Sequence, residues 1–185
     1  MTASPIRVLG LVGSLRAAST NGWLFRAATE LAPPELSMVR FSLAEVPSYN
    51  ADVEALGDPP PVAALRAAAA QASAVLIASP EYNYGVPGLL KNAIDWISRP
   101  PGQSPLERKP AAILGASAGP SGTMRMQIQL RLALQSVEMY VMPKPEIVLP
   151  FSRDKFDAEG RLTDDKTRER LAAFMAAFAA WTRRF

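Results

Sequence analysis

The sequence predicts an α/β protein with a doubly wound, five-stranded parallel sheet and helices on both faces. Apolar runs of strand length alternate with segments of helical periodicity along the whole chain. We find neither internal repeats nor a linker between two such series, so residues 1–185 are expected to form a single domain. Ligands of open parallel sheets bind at the carboxyl ends of the strands, so we look for chemistry in the loops that follow the strands.

Three strands and two helices are predicted in the first half of the chain. Apolar runs indicate the strands, and apolar residues that recur at helical spacing indicate the helices. The predicted strands are residues 6–12, 36–43 and 73–79, and the predicted helices are residues 21–31 and 62–72. Residues 44–61 are rich in Pro, Asp, Gly and Asn, which predicts a long loop. Loops of this length inside a compact domain are usually functional.

The second half continues the alternation up to a long final helix. The predicted elements are a helix at residues 87–98, a strand at 111–117 and an apolar segment at 140–149. Pro87 is tolerated in the first turn of its helix, where a missing N–H costs nothing. Pro143 and Pro145 interrupt the fifth apolar segment. Thr163 is predicted to cap the last helix, with Asp164 and Asp165 in the first turn, where acidic residues suit the helix dipole.

Residues 124–134 (MRMQIQLRLAL) give two conflicting signals. The strict alternation of apolar and polar residues is typical of a strand, whereas Met, Gln, Leu, Arg and Ala are helix formers. Length and the preceding Gly122 and Thr123 favour a helix. Such a helix would be apolar on more than one face, so we expect the core or another subunit to cover several of its sides.

Composition excludes several classes of chemistry. The chain has no cysteine and no histidine, which removes thiol nucleophiles, imidazole bases and the usual Cys/His metal sites. The formal net charge is +3, but the basic residues are scattered rather than gathered in one stripe, so no nucleic-acid partner is expected. No segment has the length and hydropathy of a membrane span or a secretory signal, and a cytoplasmic location is expected.

The loop at residues 13–21 (GSLRAASTN) follows a strand and opens a helix. Backbone N–H groups and the positive end of the helix therefore converge there, and Arg16 offers a forked cation suited to phosphate oxygens. Small polar side chains surround that point: Ser14, Ser19, Thr20 and Asn21. The loop matches neither a Walker A motif nor GxGxxG. An ordinary strand-to-helix turn capped by Ser or Asn is the structural alternative.

Two further loops follow the third and fourth strands. In residues 79–88 (SPEYNYGVPG), Tyr82 and Tyr84 can pack against a flat ring system, and Asn83 can hydrogen-bond its polar edge. The alternative is a surface turn whose tyrosines pack on the neighbouring helix. Residues 117–122 (SAGPSG) could close over a flat ligand or form a simple turn, and the sequence leaves both open.

These loops resemble the NADPH-dependent FMN reductase family, and within it the chromate or quinone reductases. The resemblance is carried by GSLR at residues 13–16 with Ser19 and Asn21, by PEYNY at 80–84, and by PGLLKNAIDW at 87–96. The block that begins at residue 80 is highly specific, and the similarity extends over nearly the whole chain.

The resemblance implies a flavodoxin-like fold with non-covalent FMN, and NADPH or NADH as co-substrate. It places the FMN phosphate in the first loop and the ring edge along the second and third loops. The implied cofactor-binding residues are Ser14, Arg16, Ser19, Thr20, Asn21, Pro80, Glu81, Tyr82, Asn83, Tyr84, Ser117 and Gly119. It further implies a ping-pong reduction of quinones and related azo, nitro and chromate acceptors. FMN carries that chemistry, with no catalytic side chain and no metal.

The resemblance also implies a homodimer or homotetramer. Arg125 and Glu146 match a charged network between dimers, from which Ile128 departs because an aromatic residue is expected there. Three alternatives stay open. One is a reductase that supplies free reduced flavin, and another is a flavodoxin-type carrier without NAD(P)H turnover. Such carriers tend to be acidic, whereas the isoelectric point here is about 9.4. The third is a non-redox nucleotide-binding domain, which would leave the tyrosine loop unexplained.

Overall fold

The protein folds around one parallel sheet with helices on both faces. The computed structural model describes residues 5–185. The strands are β1 (Ile6–Val12), β2 (Leu36–Phe41), β3 (Ala74–Ala78), β4 (Pro110–Ala116), β5 (Tyr140–Val141) and β6 (Ile147–Leu149). The helices are α1 (Thr20–Glu30), α2 (Ala51–Glu54), α3 (Pro60–Gln71), α4 (Gly88–Ile97), α5 (Met124–Ser136) and α6 (Asp165–Thr182), with a 3₁₀ turn at Ser152–Lys155.

The strand order is β2-β1-β3-β4-β5, and every pairing is parallel. The fifth position of the sheet is split, because β5 and β6 both pair with β4. Tyr140 lies opposite Pro110, and Ile147 lies opposite Leu114. The break contains Pro143 and Pro145, which have no N–H to donate to a ladder. The predicted five-stranded sheet with an interrupted last strand is therefore confirmed.

Two apolar layers cover the sheet. Val8 and Val12 of β1 face the layer that contains α1 and α6, whereas Leu9 and Leu11 face the layer that contains α3, α4 and α5. This split follows from the two-residue period of a strand, which sends successive side chains to opposite faces. Strands buried on both faces explain why β1, β3 and β4 are nearly continuous apolar runs. Within residues 5–185 no helix is both long and apolar enough to cross a membrane.

Three local predictions need correction. Asp164, not Thr163, caps α6, since its carboxylate accepts a hydrogen bond from the Thr167 amide at 2.9 Å. Pro87 is the residue before α4 rather than part of its first turn. The predicted loop at residues 44–61 contains the short helix α2, which the Asn50 side chain caps.

The ambiguous segment at residues 124–134 is helical, as predicted from its residue types. A two-residue alternation on a helix produces two apolar stripes, because positions four apart lie on one face and the two sets are about 200° apart. Met126, Leu130 and Leu134 form the buried stripe. Met124, Ile128 and Leu132 form the exposed one, each with more than half of its surface accessible. We call these last three residues the α5 stripe.

Candidate active site

The loop between β1 and α1 is built as an anion-binding turn. Ser19 is the N-cap of α1, and its hydroxyl accepts a hydrogen bond from the Gly22 amide at 3.3 Å. Thr20 and Asn21 are the first two residues of the helix, so their backbone N–H groups have no partner inside it. These two donors and the positive helix end lie at the carboxyl end of the sheet, as predicted.

Asn21 fastens this turn to the sheet. Its side-chain amide donates to the Ala116 carbonyl at 2.9 Å, and its carbonyl oxygen accepts from the Ala116 amide at 2.8 Å. The side chain is only 3% exposed. Both polar atoms of the side chain are thus used within the protein, where they hold α1 against the end of β4. The backbone amide of Asn21 remains the group that a ligand can reach.

Arg16 is the exposed cation of the loop. Its backbone amide donates to the hydroxyl of buried Ser14 at 3.4 Å, and its guanidinium contacts the Ala18 carbonyl at 3.4 Å. Among residues 5–185 no carboxylate forms an ion pair with Arg16. The positive charge is therefore available to an anion held at the helix end.

The second loop forms a tight hairpin, residues 82–85. The Tyr82 and Gly85 backbones exchange two hydrogen bonds of 3.2 and 2.9 Å. The two central residues have left-handed backbone angles, with φ of 49° at Asn83 and 66° at Tyr84. This is the type I′ geometry that matches strand twist, in which Asn is tolerated but a bulky residue such as Tyr is unusual. A strained residue of this kind is typical of functional sites.

Helix α5 holds the hairpin in this conformation. The Arg125 guanidinium lies 3.9 Å from the centre of the Tyr84 ring, a cation–π contact. The Gln129 side chain donates to the Tyr84 carbonyl at 3.0 Å. Both tyrosine rings stay accessible, with Tyr82 49% and Tyr84 67% exposed. This exposure is what the predicted contact between the tyrosines and a flat ligand requires.

Glu81 has a positioning contact that the sequence did not indicate. One carboxylate oxygen pairs with Arg125 Nε at 2.9 Å, and the other accepts from the Met126 amide at 3.0 Å. The side chain is 6% exposed and caps the N-terminus of α5, where a negative charge is favourable. Glu81 lines the site, but its carboxylate is directed to α5.

Ser117 and Gly119 form the floor between the first two loops. The Ser117 amide donates to the Leu149 carbonyl at 3.0 Å, and the Ser117 carbonyl accepts from the Ser152 amide at 3.0 Å. The Ser117 hydroxyl accepts from the Gly119 amide at 3.2 Å. The third loop is thus a structured turn tied to the segment after β6, although the sequence left its nature open.

Two adjoining cavities open between these loops. The phosphate-side cavity, about 440 Å³, contains Ser14, Arg16, Ser19, Thr20, Asn21, Pro80 and Tyr82. The ring-side cavity, about 540 Å³, contains Asn83, Tyr84 and Gly119. Glu81 and Ser117 border both. All twelve residues that the sequence singled out therefore line one cavity or the other.

Sequence reasoning missed one wall of the phosphate-side cavity. The additional residues are Trp23 and, after β6, Arg153, Phe156, Asp157 and Ala158. The signal was present, because the segment after the fifth strand also lies at the carboxyl end of the sheet. Side-chain and backbone hydrogen bonds from Arg161 hold the pKa of Asp157 below its ordinary value, so this carboxylate is charged and already paired.

In the sequence, Arg125 was predicted to belong to a charged network between dimers rather than to the cofactor site. The structure places it in the ring-side cavity of its own chain, against Glu81 and Tyr84. Glu146 pairs within the chain with Lys144 at 2.7 Å and with Arg131 at 3.7 Å. A contact of Arg125 and Glu146 between dimers stays a prediction.

Comparison with known proteins identifies the family of this chain. Residues 6–154 match the family model of NADPH-dependent FMN reductases. The chain is 48% identical to an NAD(P)H-dependent FMN reductase of Pseudomonas aeruginosa, over 97% of this chain and 96% of the relative. It is 41% identical to a quinone reductase of Escherichia coli, again over 97% and 96% of the two chains.

Among solved structures, the flavoenzyme FerB of Paracoccus denitrificans, an NAD(P)H:(acceptor) oxidoreductase, superposes with a TM-score of 0.89. It is 36% identical, and the alignment covers 96% of this chain and 97% of that one. The predicted flavodoxin-like fold is confirmed, and the chain belongs to the NADPH-dependent FMN reductase family.

Proposed function

We propose that this protein is an FMN-dependent NAD(P)H oxidoreductase that reduces quinones and related acceptors. The observation that carries the proposal is the pair of adjoining cavities. One combines a helix N-terminus with an unpaired arginine and is bordered by Tyr82, and the other is bordered by Tyr84. Both tyrosines are exposed. FMN has a phosphate and a flat ring joined by a short chain, and the two cavities fit those two parts in that order.

In this proposal each region of the site has one task. The backbone amides of Thr20 and Asn21 and the guanidinium of Arg16 hold the phosphate. The hairpin and the floor at Ser117 and Gly119 would hold the ring. When bound, FMN supplies the redox chemistry, taking hydride from NADPH or NADH and passing two electrons to the acceptor. With no histidine or cysteine in the chain, the protein's task is orientation and charge stabilisation.

The test is an absorption spectrum of the purified protein, followed by anaerobic titration with NADPH and NADH. We expect a flavin spectrum that bleaches with either nucleotide and returns on addition of a quinone. Heat-released cofactor should be FMN by chromatography. Initial rates at several concentrations of both substrates should give parallel double-reciprocal lines, as a ping-pong reaction does. A protein that binds FMN but is not reduced by either nucleotide would be an electron carrier and would refute the proposal.

A reductase that supplies free reduced flavin is the second candidate within the same chemistry. It differs in the acceptor, so the rates with a quinone and with free FMN separate the two. The relatives include proteins of both kinds, an NAD(P)H-dependent FMN reductase at 48% identity and quinone reductases at 39–41% identity, so the measured rates decide between them. We expect the quinone to be reduced faster. Azo dyes, nitroaromatics and chromate belong in the same panel.

We also propose that the protein is a cytoplasmic homodimer or homotetramer. The support for the oligomer is the α5 stripe, where Met124, Ile128 and Leu132 are 56, 58 and 64% exposed on one helix face. A stripe of this kind, next to a site that is open to solvent, suits a second copy of the chain. Light scattering at micromolar concentration should give a mass of at least twice 19.9 kDa. Ile128→Asp should lower that mass, and a fully active monomer would contradict the proposal.

A further inference from the structure

The phosphate-side cavity contains a second arginine, Arg153, on the 3₁₀ turn after β6. Its side chain is exposed, and among residues 5–185 its guanidinium takes part in no hydrogen bond or ion pair. Arg16 lines the same cavity from the first loop. Two cations that are about 140 positions apart in sequence thus border one space.

The turn that carries Arg153 is docked firmly on the floor of the site. The Ser152 amide donates to the Ser117 carbonyl at 3.0 Å, and the Phe151 amide donates to the Gly119 carbonyl at 3.3 Å. Phe151 has a left-handed φ of 47°, which redirects the chain as it leaves the sheet. At the far end, Lys155 pairs with Asp164 at 3.0 Å. The backbone under Arg153 is therefore fixed relative to the cavity.

The carboxylates of this cavity are already compensated. Asp157 accepts from Arg161 Nε at 2.6 Å and from the amides of Glu159 and Arg161. Glu81 is held by Arg125 and by the N-terminus of α5. Arg16 and Arg153 are thus the charged side chains of the cavity that have no counter-ion within residues 5–185. The cavity as a whole favours an anion.

The charge of the expected ligand suits both arginines. A phosphate monoester carries a charge of about −1.5 to −2 at pH 7. One arginine and a helix N-terminus, which is equivalent to roughly +0.5, match the lower value but not the upper one. A second guanidinium makes the positive charge sufficient for the upper value and offers further donors in a fork geometry.

We propose that Arg153 is a second phosphate-monoester-binding residue of this cavity. The inference rests on the proposed function, because two ligands of that reaction contain a phosphate monoester: FMN itself, and NADPH in its 2′-phosphate. Riboflavin and NADH are the corresponding molecules that lack it. The comparison of each pair therefore identifies which ligand Arg153 contacts.

The test is Arg153→Gln, with Arg170→Gln as the matched control, since Arg170 is an exposed arginine of α6 that lines neither cavity. Apoprotein is titrated with FMN and with riboflavin, and the dissociation constants are measured by flavin fluorescence. We expect FMN to bind roughly tenfold more weakly to Arg153→Gln while riboflavin binding is unchanged. Arg153→Lys should restore part of the FMN affinity.

A second arm uses the FMN-loaded protein. If Arg153→Gln leaves FMN binding intact but weakens NADPH binding and not NADH binding, the monoester is the 2′-phosphate, and the proposal holds with that ligand. Equal loss for both members of each pair, or no loss for any, would overturn it. A wild-type protein that binds no FMN would instead refute the proposed function, so the two failures are distinguishable.

Discussion

The loop between β1 and α1 and the hairpin of residues 82–85 border adjoining cavities, but different interactions hold them. The loop is fixed by buried hydrogen bonds, in which Asn21 contacts the backbone of the interior strand β4. The hairpin is fixed by partly exposed contacts from α5, in which Arg125 is 44% exposed. The loop has relaxed capping geometry, whereas the hairpin has two residues with positive φ.

This difference indicates what each region can do. A loop bonded to buried strand backbone opens only when the sheet opens, so its geometry is as stable as the fold. A hairpin held by surface contacts can change its conformation at a low cost in free energy. Its strained backbone persists only while those contacts hold it. We expect loss of the buried Asn21 side chain, which bonds the first region to the sheet, to affect folding. Substitutions of exposed side chains in either region should affect mainly ligand binding.

Asn21→Ala should give the largest effect on stability. It removes both hydrogen bonds to Ala116 and leaves a buried N–H and a buried carbonyl without partners. At about 1–3 kcal/mol for each of the two unsatisfied groups, we expect a loss of about 2–6 kcal/mol in the free energy of unfolding. Urea unfolding measures it. Asn83→Ala, the same deletion on the exposed hairpin, should cost at most about 1–2 kcal/mol, since its backbone is left-handed. Equal losses in the two variants would contradict the comparison.

Arg16→Ala should weaken FMN binding and leave the fold intact. Hydrogen bonds to charged groups contribute about 1.5–3 kcal/mol, and the exposure of Arg16 favours the lower end, roughly tenfold in the dissociation constant. Urea unfolding of the apoprotein should change by no more than about 0.5 kcal/mol. Riboflavin, which has no phosphate, is the control ligand. An unchanged FMN dissociation constant would show that the first loop is an ordinary strand-to-helix turn in which Arg16 does not bind phosphate.

Tyr84→Gly should separate stability from binding. Glycine relieves the left-handed backbone, a gain of about 1 kcal/mol, which offsets a partly exposed cation–π contact of about 0.5–1 kcal/mol. The free energy of unfolding should therefore change by less than about 1 kcal/mol. Loss of the ring should weaken FMN binding by about 1 kcal/mol, roughly fivefold. Asn83→Gly, which keeps the ring, is the control. A large loss of stability in Tyr84→Gly would show that the hairpin is not strained.

Asp164→Asn should give a small effect that depends on pH. Hydrogen bonds from Thr167, and then from Lys155, lower the pKa of Asp164 from 3.8 to about 2. A lowered pKa in the folded state means that the carboxylate stabilises the fold above about pH 4 and that this stabilisation disappears as pH falls through 2. The melting temperatures of the two proteins should differ at pH 7 and converge toward pH 2. A difference that is independent of pH would show that the charge of Asp164 contributes nothing.

The sequence predicted the parts of the site that depend on local pattern. The order of strands and helices, the loop at residues 13–21 and the tyrosine loop follow from periodicity and from helix-start signals. The split last strand followed from Pro143 and Pro145. The partners were not predictable, because Asn21 and Ala116 are 95 positions apart and Glu81 and Met126 are 45 apart. The residue that caps α6 could not be predicted either. Thr163 and Asp164 are both good N-cap residues, and only the folded geometry shows that Asp164 is the cap.

Trp23 gives this site an optical property of its own. Its indole lines the phosphate-side cavity and packs against Phe156, with ring centres 5.8 Å apart. Gly160 approaches it so closely that any larger residue there would overlap the indole. Of the three tryptophans, all within the described residues, the other two line neither cavity: Trp96 is fully buried and Trp181 donates to the Tyr140 carbonyl. A flavin that enters the cavity would come closest to Trp23, so the tryptophan emission of the chain would report whether the cavity is occupied.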